Sequence, residues 1–280
     1  MTSRLPLTSP AWHAELHLGF ARAGERTVLR ENRHFGPLRV QKALYPEGEA
    51  VCQAILLHPP SGIAGGDQLR ISAEIGAGAH AQLTTPGAGK WYRSGGPEAA
   101  QRLAFTVAEG ATLEWLPQET IVFDGAIARM ETRVHLAADS RYIGWDILCL
   151  GRAAAGERFD HGRFDLFYRI DRAGKPIWIE RGGFSGHDAM LGSPAGWAAA
   201  TVCGTLLAAF PQTPEVLAAC REIAPNDQAS HALTPLPGLL VARYLGDSSE
   251  AARLWFARLW EILRPACTGR PAITPRIWNT

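Results

Sequence analysis

From Trp12 to Phe20 apolar and polar residues alternate, with Trp12, Ala14, Leu16, Leu18 and Phe20 on one face and His13, Glu15 and His17 on the other. Successive side chains of an extended chain point to opposite sides, so this spacing predicts a half-buried strand. The same period recurs at Leu69, Ile71, Ala73 and Ile75, at Leu103, Phe105 and Val107, and at Met130, Thr132, Val134 and Leu136. Further strands are expected at 27–31, 38–44, 51–58, 79–85, 111–116, 141–150, 163–170 and 177–180, nearly all separated by turns containing Gly or Pro.

Beyond Ser193-Pro194 the pattern changes. Residues 197–210, 214–223, 239–245 and 249–263 carry Ala- and Leu-rich helical periodicity. In the last of these, Asp247 with Glu250 three residues on resembles a capping box, and Leu254, Arg258 and Glu261 are spaced as helix neighbours. Pro265 is expected to stop the helix. Trp255 and Trp260 lie five positions apart and do not share one narrow helical stripe, so one of them is expected to face a neighbour. The chain thus reads as mainly β, one domain over 1–280, with a β-rich part at about 12–190 and a helical section at about 195–265 packed on it. Strands not interleaved with helices argue against a doubly wound parallel sheet. No low-complexity linker or strong internal repeat divides the chain.

Composition narrows the function classes. A chain of 280 residues, 46% hydrophobic, buries a sizeable core without disulfides or metal. A formal charge of +1 excludes a strongly basic nucleic-acid footprint and an acidic tail. The apolar stretch Trp197 to Phe210 is interrupted by Thr201, Cys203, Gly204 and Thr205 and is shorter than the ~20 residues a bilayer requires, so no membrane span is expected. Met1 to Trp12 holds Arg4, Pro6 and Pro10 with no apolar run behind them, which is not a signal peptide and suggests a cytoplasmic protein. Five cysteines, at 52, 149, 203, 220 and 267, never form C-x-x-C and read as buried small apolar residues.

Three local motifs invite a chemical reading. Thr84-Thr85-Pro86-Gly87-Ala88-Gly89-Lys90 resembles a phosphate loop, yet Thr84 stands where glycine is needed and Trp91 where the magnesium-binding Ser or Thr belongs, so no nucleotide is expected. Ser185 lies in Gly183-Phe184-Ser185-Gly186-His187-Asp188, where His187 replaces the downstream glycine of a nucleophile elbow; a β-rich serine hydrolase using Ser185 and a distant histidine stays as an alternative. His13, Glu15 and His17 share a strand face that suits nickel or zinc, but nothing nearby in sequence completes a ligand set. More unusual are Asp67, Glu119, Asp146 and Glu180, each beside apolar or glycine-rich sequence. A carboxylate drawn into such surroundings must be paired, hydrogen-bonded, hydrated or next to a cation; a plain surface position at a strand end is the other reading.

Four stretches carry a resemblance: Gly36-Pro37-Leu38-Arg39-Val40-Gln41 leading to Tyr45-Pro46; His58-Pro59-Pro60-Ser61-Gly62-Ile63-Ala64-Gly65-Gly66-Asp67; Thr85 to Ser94; and Leu113-Glu114-Trp115-Leu116-Pro117-Gln118-Glu119. Trp145-Asp146, Cys149-Leu150-Gly151-Arg152, Gly156-Glu157 and Pro275-Arg276-Ile277-Trp278 continue it in order. Together they resemble the UreD (UreH) urease accessory family over essentially the whole chain. Ser61 stands where the family usually has glycine and Trp91 where it often has Phe, and the match is loose from Arg181 to Pro194. The resemblance implies a mainly β fold, a coiled stacking of many strands with a few C-terminal helices. It also implies a non-enzymatic maturation scaffold that binds apo-urease and a UreF-type partner, which recruits a UreG-type GTPase. Nickel would then be in transit through a hydrated passage rather than permanently bound, with Asp67, Asp146 and Glu180 as conduit residues, Glu119 and Glu157 beside them, and Lys90 free to pair with one of them. A nickel-storage chaperone gripping the ion at His13 and His17 is the other metal-based alternative.

Overall fold

The computed structural model describes residues 11–279. In chain order its strands are β1 (His13–Ala23), β2 (Arg26–Phe35), β3 (Arg39–Leu44), β4 (Val51–Leu57), β5 (Gln68–Ile75), β6 (His80–Thr84), β7 (Gly89–Trp91), β8 (Ala99–Val107) and β9 (Thr112–Leu116). They continue with β10 (Thr120–Val122), β11 (Ile127–Leu136), β12 (Arg141–Leu150), β13 (Arg163–Arg172) and β14 (Lys175–Ser185). The last part adds a short helix α1 (Ala189–Gly192), β15 (Val202–Ala209), α2 (Pro214–Arg221), β16 (Ser230–Leu236), β17 (Leu239–Gly246) and the long α3 (Ser249–Thr268).

From β4 to β13 the chain passes back and forth between two sheets. One holds β4, β6, β9 and β12 in parallel, the other β5, β8, β11 and β13 in parallel. Each coil lies on the one before, so Ile75 sits beside Val107 and Val107 beside Leu136. The corners stack as well: Gly78 N–H donates to Glu109 O at 3.0 Å, and Gly110 N–H to the Asp139 carboxylate at 2.9 Å. Gly78 and Gly110 take φ of +66° and +63° at these corners, a conformation that side chains with a Cβ seldom adopt. The result is a solenoid-like stack, the coiled β fold that the resemblance implied. Antiparallel strands finish the sheets: β2 and β14 edge the seven-stranded sheet, β3 edges the other, and β15, β17 and β16 extend it past β12; with β10 paired to β12, and β7 to β10, it has ten strands.

The alternating strands bury the face the pattern assigned them, except Trp12, which precedes β1 and is exposed. Ala14, Leu16, Leu18 and Phe20 join Ile71, Leu103, Phe105 and Val134 in the core between the sheets. A second core lies on the other side of the ten-stranded sheet, where Trp145 and Ile147 of β12 meet Phe256, Leu259 and Trp260 of α3.

Several helical expectations are corrected by the structure. Residues 202–209 and 239–246 are strands, not helices. They are covered by the opposite sheet on one face and by α3 and its neighbours on the other, and a strand buried on both faces loses period-two alternation and reads as a continuous apolar run. The cap of α3 is Ser248, whose hydroxyl accepts from Ala251 N–H at 3.1 Å, while Asp247 accepts from Thr201 N–H at 2.9 Å and Thr201 Oγ1 at 3.0 Å. Pro265 does not stop α3. The helix runs through it to Thr268, and Gly269 at φ +70° ends it, its N–H donating to Pro265 O at 2.8 Å. Trp255 and Trp260 are both buried, because α2 and the segment after α3 cover a second side of the helix. Cys52, Cys149, Cys220 and Cys267 are buried thiols and Cys203 is half-buried.

Candidate functional site

Between the two sheets lies a cavity of about 190 Å³, bounded by the Gly87-Ala88-Gly89-Lys90 loop and by Leu38, Leu103, Trp115 and Met130. Asp146 lines it from β12, whose inward positions are Tyr142, Gly144, Asp146 and Leu148. Asp146 is half-buried. Burial pushes its carboxyl from an ordinary 3.8 up to about 7; the Trp115 indole N–H opposes that rise and the charge of Glu180 adds to it. Asp146 Oδ2 and Trp115 Nε1 are both sealed from water, and the indole N–H faces the carboxylate without closing a regular hydrogen bond. Leaving such a group unsatisfied costs about 1–3 kcal/mol. His58, just after β4, lines the same cavity, and its Nε2 is sealed from water with no hydrogen-bond partner. Burial lowers its pKa, partly offset by the charge of Asp67.

Polar groups continue from Asp146 toward the opposite sheet. The Tyr142 and Tyr168 hydroxyls meet at 2.5 Å, and burial raises both phenols, Tyr168 further through the nearby charges of Asp146 and Glu180. Glu180, on β14, accepts from Arg243 Nη1 at 2.7 Å, and the same nitrogen donates to Thr205 Oγ1 at 2.8 Å. Two of the carboxylates singled out in the sequence, far apart along the chain and on different sheets, are thereby close enough to feel each other's charge.

The other singled-out residues have different surroundings. Lys90 lines the cavity from β7, with no ion pair recorded for it among the described residues. Asp67 is outside the cavity lining and caps the turn before β5, its two oxygens accepting from Trp12 N–H and Ala64 N–H, both at 2.9 Å. Glu119 lies near Cys149, whose thiol is pushed up to about 12 by burial and then by the Glu119 charge. Glu157 accepts from Arg152 Nη2 at 2.5 Å, which holds its pKa down, and from Asp124 N–H at 3.2 Å. On β1, His17 meets Ser72 Oγ at 3.0 Å and Glu31 at 3.4 Å, and Glu15 meets Arg70 at 3.4 Å. Among the described residues no group of three or more His, Cys, Asp or Glu is placed to hold a metal ion.

One constellation escaped the sequence reading. Glu114, on β9, is fully buried and sits 2.7 Å from His80 Nε2, 2.6 Å from Trp260 Nε1 and 3.1 Å from Arg264 Nε. Arg264, also fully buried, donates on to Glu47 at 2.6 Å and to Pro271 O. Burial works to raise the Glu114 pKa, but His80, Arg264 and Trp260 together hold it below the usual range. Nearby, Trp278 Nε1 donates to Thr84 Oγ1 at 2.8 Å. This network clamps α3 and the C-terminal segment to the solenoid. Its sequence signal was Glu114 inside the otherwise uncharged run Thr112-Leu113-Glu114-Trp115-Leu116, whose partner lies 150 positions away.

Among the described residues no helix is long and apolar enough to cross a membrane. The family model described as UreD urease accessory protein matches residues 13–279. The urease accessory protein UreD of Dechloromonas aromatica (strain RCB) is 78% identical, with 100% of each chain covered. UreD of Azoarcus sp. (strain BH72) is 53% identical over 99% of this chain and 97% of its own. UreD of Nitrosococcus oceani is 52% identical over 100% of this chain and 93% of its own. With a family model spanning the solenoid and its C-terminal helix, and relatives aligned from end to end, this chain belongs to the UreD urease accessory protein family.

Proposed function

We propose that this chain is a non-catalytic scaffold for urease maturation that binds apo-urease and UreF- and UreG-type partners and lets nickel pass through its interior to the urease active site. The observation that carries the reading is Asp146: a carboxylate on the wall of an inter-sheet cavity, with a second carboxylate, Glu180, within electrostatic reach. Nickel takes nitrogen and oxygen donors readily, so a complete cage would hold it. Passage demands attraction strong enough to admit the ion and weak enough to release it, and single carboxylates separated by water meet both demands. Lys90 on the same cavity limits how negative the interior becomes. Asp67, Glu119 and Glu157 are proposed stations outside this cavity.

The test is co-expression with urease and the other accessory proteins, replacing Asp146 and Glu180 one at a time by the corresponding amide. Assembly is followed by gel filtration and urease nickel content by mass spectrometry. Intact assembly with nickel reduced several-fold is expected. Full nickel content in both variants refutes the passage, and lost assembly makes the two residues structural.

A further inference from the structure

We propose that the outer face of the seven-stranded sheet, where β11, β13 and β14 lie side by side, is the docking surface for an acidic segment of a protein partner. This rests on the scaffold reading above but not on the nickel passage. The outer face of the ten-stranded sheet is covered by α3, whereas the outward positions of these three strands are largely charged and exposed. Arg129 and Arg133 of β11, Arg163 of β13 and Arg181 of β14 surround a cleft of about 450 Å³. Phe167 lies among them, with Glu131 beside it on β11 and Arg181 beside it on β14. The guanidiniums of Arg133 and Arg181 both sit over its ring, 4.7 and 5.4 Å from the centroid. Two of the four arginines are neutralised within the sheet, Arg133 by Glu131 at 2.5 Å and Arg163 by Asp165 at 2.9 Å. Arg129 and Arg181 have no ion pair among the described residues and are exposed.

The chemistry of the cleft decides its occupant. A guanidinium presents paired N–H donors that match the two oxygens of a carboxylate, and one held over an aromatic ring loses less freedom when it binds. Arg129 and Arg181 stand on strands separated by β13, about 10 Å apart across the sheet at the usual strand spacing. Two carboxylates on one face of a partner's helix or strand therefore meet both at once. Ile179 lies two positions before Arg181 on the same face and is exposed, so an apolar contact adjoins the charges. Arginine and aromatic side chains together are the composition enriched at protein interfaces. The chain as a whole carries a formal charge of only +1, so this positive charge is local and suits a few carboxylates, whereas a nucleic-acid backbone calls for an extended basic stripe.

The experiment compares the wild-type chain with two double variants. Arg129→Gln with Arg181→Gln removes the unpaired arginines; Arg33→Gln with Arg70→Gln removes the same charge elsewhere on this sheet, at arginines paired with Glu31 and Glu15. Each is co-expressed with urease and the other accessory proteins and the composition of the complex is read by gel filtration. Each purified chain is also titrated with fluorescein-labelled hexaglutamate at low and high salt, with single-stranded DNA as competitor. We expect wild type and the Arg33/Arg70 control to bind hexaglutamate in a salt-sensitive manner. The Arg129/Arg181 variant is expected to bind it about ten-fold or more weakly, to lose one partner from the complex and to keep the wild-type urea midpoint. Should that midpoint fall, Arg129→Gln alone, at a side chain with no ion pair to lose, carries the test with the same two readouts. Unchanged hexaglutamate affinity overturns the proposal, and so does an equal loss in the control, which makes the effect one of net charge. Preference for single-stranded DNA that disappears in the Arg129/Arg181 variant overturns the choice of an acidic protein. If wild type assembles and that variant assembles equally well, the docking surface alone is lost; if wild type assembles with no partner, the scaffold reading fails and takes the docking surface with it.

Discussion

Asp146→Asn is expected to make this protein more stable above neutral pH while making it a poorer maturation factor. The carboxyl of Asp146 titrates at an ordinary 3.8 in the unfolded chain and at about 7 in the folded one. A raised carboxylate pKa means that the folded state binds the proton more tightly, so stability is undiminished below the unfolded value and falls as pH rises from about 4 to about 7. A shift of roughly three units at about 1.4 kcal/mol each makes the cost at pH 8 on the order of 4 kcal/mol, a large part of the roughly 5–15 kcal/mol a domain has in total. An asparagine of nearly the same shape removes the charge and with it that loss. The assay is urea unfolding followed by tryptophan fluorescence at pH 5 and pH 8, without added metal. The variant should gain stability relative to wild type between the two pH values, by a few kcal/mol at the upper end. Equal pH dependence of the two proteins would refute the reasoning, because the carboxylate would then be hydrated in the fold and not forced into a poor environment.

Other consequences follow from the same physics. Arg264→Met strands two carboxylates, Glu47 and Glu114, in the interior, and should lower unfolding stability by about 3–5 kcal/mol, with Glu114→Gln milder; a shift of the urea midpoint equivalent to less than ~1 kcal/mol would contradict it. Because Glu114 titrates below its ordinary value, its contribution is present above about pH 4.5 and fades as pH falls further. Ser248→Ala removes the α3 cap and should cost about 1 kcal/mol in the same assay. Cys149 and Cys267, each pushed up to about 12, should resist iodoacetamide at pH 8 in the folded protein and react once it is unfolded, as mass spectrometry of the labelled peptides would report. If α3 contacts the UreF-type partner, its exposed Leu254 is the place to look: Leu254→Asp should weaken that complex in pull-down while leaving the unfolding midpoint in place.

Deleting residues 248–280 is a poor test of that contact. Trp255, Phe256, Leu259 and Trp260 fill the second core, so truncation exposes it and disturbs partner binding for the wrong reason.

What the chain's own pattern determined was local. Alternation placed β1, β5, β8 and β11 and chose their inward faces, because a strand with one face in the core and one in water writes that asymmetry into every second residue. The acidic residues in apolar settings were legible for the same reason, since a charge where burial is expected stands out. Tertiary structure decided everything that depends on what lies across from a residue. It turned 202–209 and 239–246 into strands by covering both of their faces. It joined Glu114 to Arg264 and Asp146 to the neighbourhood of Glu180, while giving Asp67 and Glu157 partners of their own. It also made a repeat that no residue identity announces, since the coils agree in backbone register and share only corner geometry. Period and composition record whether a side chain is buried, but burial is the same for a core residue, a clamp and a conduit; only the identity of the atoms brought opposite separates them.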